Sequence, residues 1–130
     1  MNAIRLNDLN LHDSGLLDLR VRDEGHESIV EMKLDYILTY EPTNGPKSAP
    51  ALLRFRNSYG MRSVLLFWNV SAADILEGET FDQSESLRIL EREFGVLPDL
   101  PQDMRVHRMV VAGRTSEIVI ACRSIELVMR

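Results

Sequence analysis

Cysteine occurs once in 130 residues, as Cys122. An internal disulfide is therefore excluded, and the count fits a reducing compartment, the cytoplasm. Lying in an apolar alternating stretch, Cys122 reads as a small buried hydrophobe rather than a reactive thiol. No apolar run approaches the ~20 residues that a membrane-spanning helix needs. The segment from Met1 to Asn10 has a single basic side chain and no long apolar core, so no secretory signal is expected. Metal spacings are missing too: His12, His26 and His107 lie far apart, with no His-x-x-x-His or Cys-x-x-Cys. Single, scattered glycines supply no phosphate-cradling loop, and no Gly-x-Ser-x-Gly elbow occurs. Neither a metal nor a cofactor is expected.

What is present describes a globular chain. With 45% apolar and 27% charged residues, it is long enough for one domain over residues 1–130 that buries roughly two-thirds of its unfolded surface. The net charge of -5 is unevenly spread. Residues 71–100 hold eight acids against Arg88 and Arg92, whereas residues 41–70 hold Lys47, Arg54, Arg56 and Arg62 against Glu41 alone. An acidic stretch disfavours nucleic acid and suits a basic protein partner, unless it is only a solvated helix face.

Alternation carries the fold. Ile118, Ile120 and Cys122 recur at every second position, and the parity then flips to Ile125, Leu127 and Met129. A strand has a side-chain period of two, so the flip predicts an extra residue, a bulge near Arg123 and Ser124. Together with residues 105–112 and a Gly113-Arg114 turn, this makes a C-terminal hairpin. Upstream, Leu17, Leu19 and Val21 alternate with charged residues as a half-buried strand, followed by a turn at residues 23–26. The next strand is long, with Val30, Met32, Leu34, Tyr36, Leu38 and Tyr40 on one face. Residues 41–50 contain three of the five prolines and an Asn-Gly, which predicts an exposed loop.

Beyond it Leu53, Phe55 and Tyr59 alternate with Arg54 and Arg56. Those arginines are expected to pair with Glu31, Asp35 or similar acids on a neighbouring strand rather than to bind RNA. Residues 61–70 are apolar on both faces, with Val64, Leu66 and Trp68 on one of them, so a helix or a second subunit must cover the other. Residues 71–74 either open a helical turn or continue the strand. One helix is predicted at about residues 84–94: Asp82 and Glu85 have capping-box spacing, Leu87, Leu90 and Phe94 form a stripe, and Gly95 suits the C-terminal stop. Residues 96–103 form a proline-broken connection. The pattern predicts an α+β fold, a bent antiparallel sheet of about six strands with one main helix.

One local cluster, Leu11-His12-Asp13-Ser14-Gly15, holds the residue types of a hydrolase triad. A triad needs the histidine between the other two in space, which three consecutive residues do not provide. The expected structure is a turn in which Asp13 and Ser14 bond nearby backbone groups, with ligand binding as the functional alternative. No catalytic residue is assigned. This segment, with Leu16-Leu17-Asp18-Leu19 after it and Leu66-Phe67-Trp68-Asn69-Val70 further on, resembles a pattern in small uncharacterised β-rich bacterial proteins. Some of these are grouped with the immunity proteins of polymorphic toxin systems. The resemblance implies a short, β-rich, acidic protein of immunity type and brings no active-site residues with it.

Three functions follow as expectations. The first is a non-enzymatic cytoplasmic protein-binding domain, of immunity type, that steers a basic protein with Glu91 and Glu93 on the outer helix face. The second is a homo-oligomer, a dimer at its simplest, with residues 64–70 near the contact. The third is a small ligand-binding barrel or enzyme using the His12-Asp13 region. It requires a cavity in which those side chains meet another polar group, such as His107 or Tyr36. The binding candidates are thus His12, Asp13, Ser14, Glu91 and Glu93.

Overall fold

The computed structural model describes residues 4–64, 73–95, 103–111 and 116–130. Its strands are β1 (Gly15–Asp23), β2 (Ser28–Glu41), β3 (Gly45–Arg56), β4 (Gly60–Val64), β5 (Ala73–Thr80), β6 (Arg105–Val111), β7 (Glu117–Cys122) and β8 (Ser124–Met129). One helix, α1 (Gln83–Phe94), stands between β5 and β6, and a short 3-10 turn at Leu6–Asp8 precedes β1. The mixture is α+β, but the strands number eight in one antiparallel sheet rather than six. Two features account for the difference. The parity flip at Arg123 divides the last expected strand into β7 and β8, and β5 has no alternating apolar pattern to announce it.

The order across the sheet is β4-β7-β6-β5-β1-β2-β3-β8. β4 continues β3 beyond Asn57 to Tyr59, and β8 continues β7 beyond Arg123. Each outermost strand is thus joined end-on to a strand from the other side of the sheet, and the sheet closes into a barrel. Residues 51–56 run against 124–129, and residues 60–64 against 117–121. The shared bend lies at Asn57, which has a φ of 52°, and at Arg123, whose N–H donates to Arg56 O. An extra residue at such a point is what a flip in side-chain parity requires.

Inward side chains from all eight strands meet in one core, with Met32, Leu34, Leu53, Val111 and Cys122 fully buried. Fully burying a side chain of Leu or Ile size contributes about 1.5–3 kcal/mol. The N-terminal segment, unforeseen as a core element, adds Leu6 and Leu11. Gly78 of β5 makes room for them: a Cβ there would come within 2.5 Å of Leu11 Cδ1 and 3.3 Å of Leu6 Cβ. Ser14, wholly buried, donates to Asn10 O and accepts the Ile37 N–H, tying this segment to β2.

A second apolar cluster lies outside the barrel. Val106 of β6 and Val119 and Ala121 of β7 point outward and are covered by Ile89 and Leu90 of α1. The helix begins as predicted, with Asp82 accepting the Glu85 N–H at 2.9 Å, and ends at Gly95, where φ is 89°. Ser86 fixes its approach. Where β5 pairing gives out, the Ser86 hydroxyl accepts the Val106 N–H and donates to Phe81 O. The buried helix face is therefore Ser86, Ile89 and Leu90; Leu87, expected on it, is 52% exposed.

Two further expectations are corrected. On β1, Leu17 and Val21 are exposed and Leu16 is buried, because the register shifts between Leu16 and Asp18. The expected loop at 41–50 is strand up to Glu41 and again from Gly45. Pro46 and Pro50 are tolerated there because β8 pairs with β3 only from Ala51 onward, so their missing N–H groups break no ladder on that edge. Asp74, left between helix and strand, lies in β5. The two-faced stretch that includes Leu66 and Trp68, the Gly113-Arg114 turn and most of the 96–103 connection fall outside the described residues.

The outer face of β1, β2, β3 and β8 is laced with ion pairs. Arg54 reaches Glu31 at 2.9 Å and Glu126 at 3.4 Å, and Arg56 reaches Glu27. The expected pairing of Arg54 with an acid on the next strand is thus present, with Glu31 as the partner. On the β4, β7 and β6 side, Glu117 accepts from both Arg108 and Arg62, which together hold its carboxyl below the usual range.

Candidate functional site

The barrel opens at one end beside the start of α1, into a cleft of about 680 Å³. That volume lies within the ~300–1,000 Å³ typical of small-molecule sites. Three elements shape it. β5 ends there at Thr80, β6 begins there at Arg105, and the β7–β8 bend delivers Arg123 and Ser124 to the rim. Ile4, Phe81 and Ile125 supply the apolar wall, while Arg5, Asp82, Asp103, Arg105 and Arg123 supply charge.

His107 is the innermost polar group. Register decides its direction: it faces Ile120 across β6 and β7 and Thr80 across β5 and β6, and Ile120 points into the barrel. The ring is 3% exposed and packs against Phe55 with centroids 5.7 Å apart. Burial, helped by the positive charge of Arg105, pushes its pKa from 6.5 down to about 4, so the imidazole is neutral at physiological pH. Nδ1 lies 2.8 Å from Thr80 Oγ1, which also accepts the Leu6 N–H. Nε2 is buried without a partner among the described residues.

The rim is held by a fork. Arg123 donates Nε and Nη2 to Asp103, keeping that carboxyl below its ordinary range. Arg5 donates to Thr80 O and Arg105 to Met104 O. Cys122 is also close by but inert: burial raises its thiol to about 12, and it donates to Ser124 O. Among the described residues, no three His, Cys, Asp or Glu side chains group as metal ligands would.

The sequence candidates lie elsewhere. His12 is exposed, with Nδ1 2.9 Å from Leu76 O and Nε2 3.5 Å from Asp13. Asp13 has a φ of 66° and donates its N–H to Ile75 O, and Tyr40 Oη donates to His12 O. These residues, with Ser14, seat β1 against β5 and β2; His12 and Asp13 do not line the cleft and do not meet His107 or Tyr36. Glu91 is exposed on α1, whereas Glu93 turns to Arg62 at 2.9 Å. The structure thus separates the two acids that the sequence placed together. No known family, curated protein or solved structure matches the chain.

Proposed function

We propose that the barrel is a binding domain that holds a small organic molecule in the mouth cleft, without chemistry upon it. One observation carries the reading: His107, whose buried Nε2 has no partner among the described residues, is one of the residues that line a cleft of ligand size. An unsatisfied buried polar atom costs about 1–3 kcal/mol, a penalty that a ligand atom would remove. This keeps the barrel expectation but moves its site from His12 and Asp13 to His107. The single cysteine supports a cytoplasmic setting for it.

The test is a fragment screen by saturation-transfer NMR on the full chain and on Ser124→Trp, which fills the rim from an exposed position. The reading expects hits that vanish in the variant. Hits that persist undiminished in Ser124→Trp would place binding elsewhere and end it.

A second reading keeps the immunity-type bacterial inhibitor, now resting on the outer face of α1. Leu87 and Glu91 are both exposed there, an apolar contact beside an acid. It expects binding of a basic protein to weaken with salt and with Glu91→Lys. Indifference to both would remove it.

A further inference from the structure

Independently of the ligand-binding reading, we infer that β8 is a self-association edge: two copies of the chain pair antiparallel along it, centred on Val128, and join their sheets. β8 is the outermost strand on its side of the sheet, and its one ladder runs to β3. Arg130 donates its N–H to Pro50 O, on the β3 side. Backbone groups of successive residues alternate between the two edges of a strand, so those of Leu127 and Met129 turn the other way. Among the described residues, no backbone group meets them there. An open edge of this kind is a template for another strand.

Charge commonly blocks such edges, but the charges of β8 select one pairing. Antiparallel pairing about Val128 sets Val128 opposite itself, Leu127 opposite Met129 of the second copy, and Glu126 opposite Arg130. The two-fold axis repeats each pair. Leu127 and Met129 then exchange hydrogen bonds through their outward groups, and Met129, 45% exposed in one chain, is covered. Two pairs of opposite charge, Glu126 with Arg130, form on the outer face. Both side chains are available for this. Arg130 makes no ion pair among the described residues, and Glu126 is held loosely, by Arg54 at 3.4 Å and Arg56 at 3.6 Å. Pairing about Leu127 would instead set Glu126 opposite Val128, and pairing about Glu126 would set like charge against like. β4, the other outermost strand, has Arg62 as its one charge, and Glu93 and Glu117 already hold it.

Val128→Cys tests the register. Its backbone groups face β3, and facing residues of that kind lie about 4.5 Å apart at Cα, within the span of a disulfide. Cys122, fully buried, does not compete. Under mild oxidation Val128→Cys should form a covalent dimer about tenfold faster or more than Leu87→Cys, a more exposed position on α1. Sedimentation equilibrium of the parent chain, up to millimolar concentration, should show monomer and dimer. Met129→Pro deletes an outward N–H and no bond to β3, so it should abolish the dimer while the thermal melt stays cooperative. Arg130→Glu should weaken the dimer about tenfold. A parent that stays monomeric throughout overturns the inference, and so does a dimer that survives Met129→Pro. A dimer lost in Met129→Pro but unmoved by Arg130→Glu, with no faster crosslink at Val128→Cys, overturns the register centred on Val128.

Discussion

Lowering the pH from 7 to 5 should destabilise this protein chiefly through one side chain. His107 has its pKa depressed to about 4 from an ordinary 6.5, by burial first and by Arg105 second. Between those two values the unfolded chain binds a proton at this position that the folded chain refuses. Stability therefore rises with pH across that window and is lost as pH falls through it. Each unit below 6.5 costs about 1.4 kcal/mol, so about 2 kcal/mol should be gone by pH 5, and about 3 kcal/mol near pH 4. Carboxylates with lowered pKa, such as Glu117 and Asp103, contribute stability that is lost only as pH falls below their ordinary values of 4.5 and 3.8, so most of their effect comes later. The assay is urea unfolding at pH 7 and pH 5, on the parent chain and on His107→Leu, which keeps the site filled with an apolar group. The parent should lose about 2 kcal/mol more than the variant between the two pH values. Equal losses would mean that His107 is not buried in its neutral form.

Four other outcomes follow from packing and hydrogen bonds. Ser14→Ala removes the acceptor of the Ile37 N–H and a donor to Asn10 O; it should cost about 1–3 kcal/mol in denaturant unfolding. His12→Ala, at an exposed side chain, should change stability by about 0.5 kcal/mol or less, which separates a structural serine from a dispensable histidine. Gly78→Ala pushes a Cβ into the core leucines Leu6 and Leu11, so a loss of about 1–3 kcal/mol is expected by thermal melting. Asp82→Ala removes the helix cap and should cost about 1 kcal/mol, with a visible loss of helical circular dichroism.

Local signals in the sequence were readable because each depends on neighbours along the chain. The alternation of Val30 to Tyr36, the parity flip at Arg123 and the Asp82 cap are all of this kind. β5 was not legible, since of its inward positions only Ile75 carries a bulky side chain and Gly78 lies under Leu6 and Leu11. A strand whose core face is partly filled by another segment shows no period of two. The same segment explains why Leu6 and Leu11 gave no warning: their partners are far away in sequence. The helix stripe was misjudged at Leu87 because Ser86, a polar residue, takes the buried position in order to bond Val106.

The cleft illustrates the harder case. Its residues come from the N-terminal segment, β5, α1, β6 and the β7–β8 bend, and no spacing links them. One signal was nonetheless available. Ile118, Ile120 and Cys122 fix the inward parity of β7, and hairpin pairing then places His107 opposite Ile120, inside the barrel. A histidine committed to the interior of an apolar strand asks what its two nitrogens bond. By contrast, the His12-Asp13-Ser14 cluster drew notice for its residue types, while the fold uses it to join β1, β2 and β5.

The most direct test of the cleft as a binding site is amide chemical-shift mapping while the full chain is titrated with the strongest hit of the fragment screen. Shifts concentrated at Arg5, Thr80, Gln83, His107 and Ser124 are the predicted result. Shifts centred on the charged outer face around Glu31, Arg54 and Glu126, with the mouth residues unmoved, would contradict it.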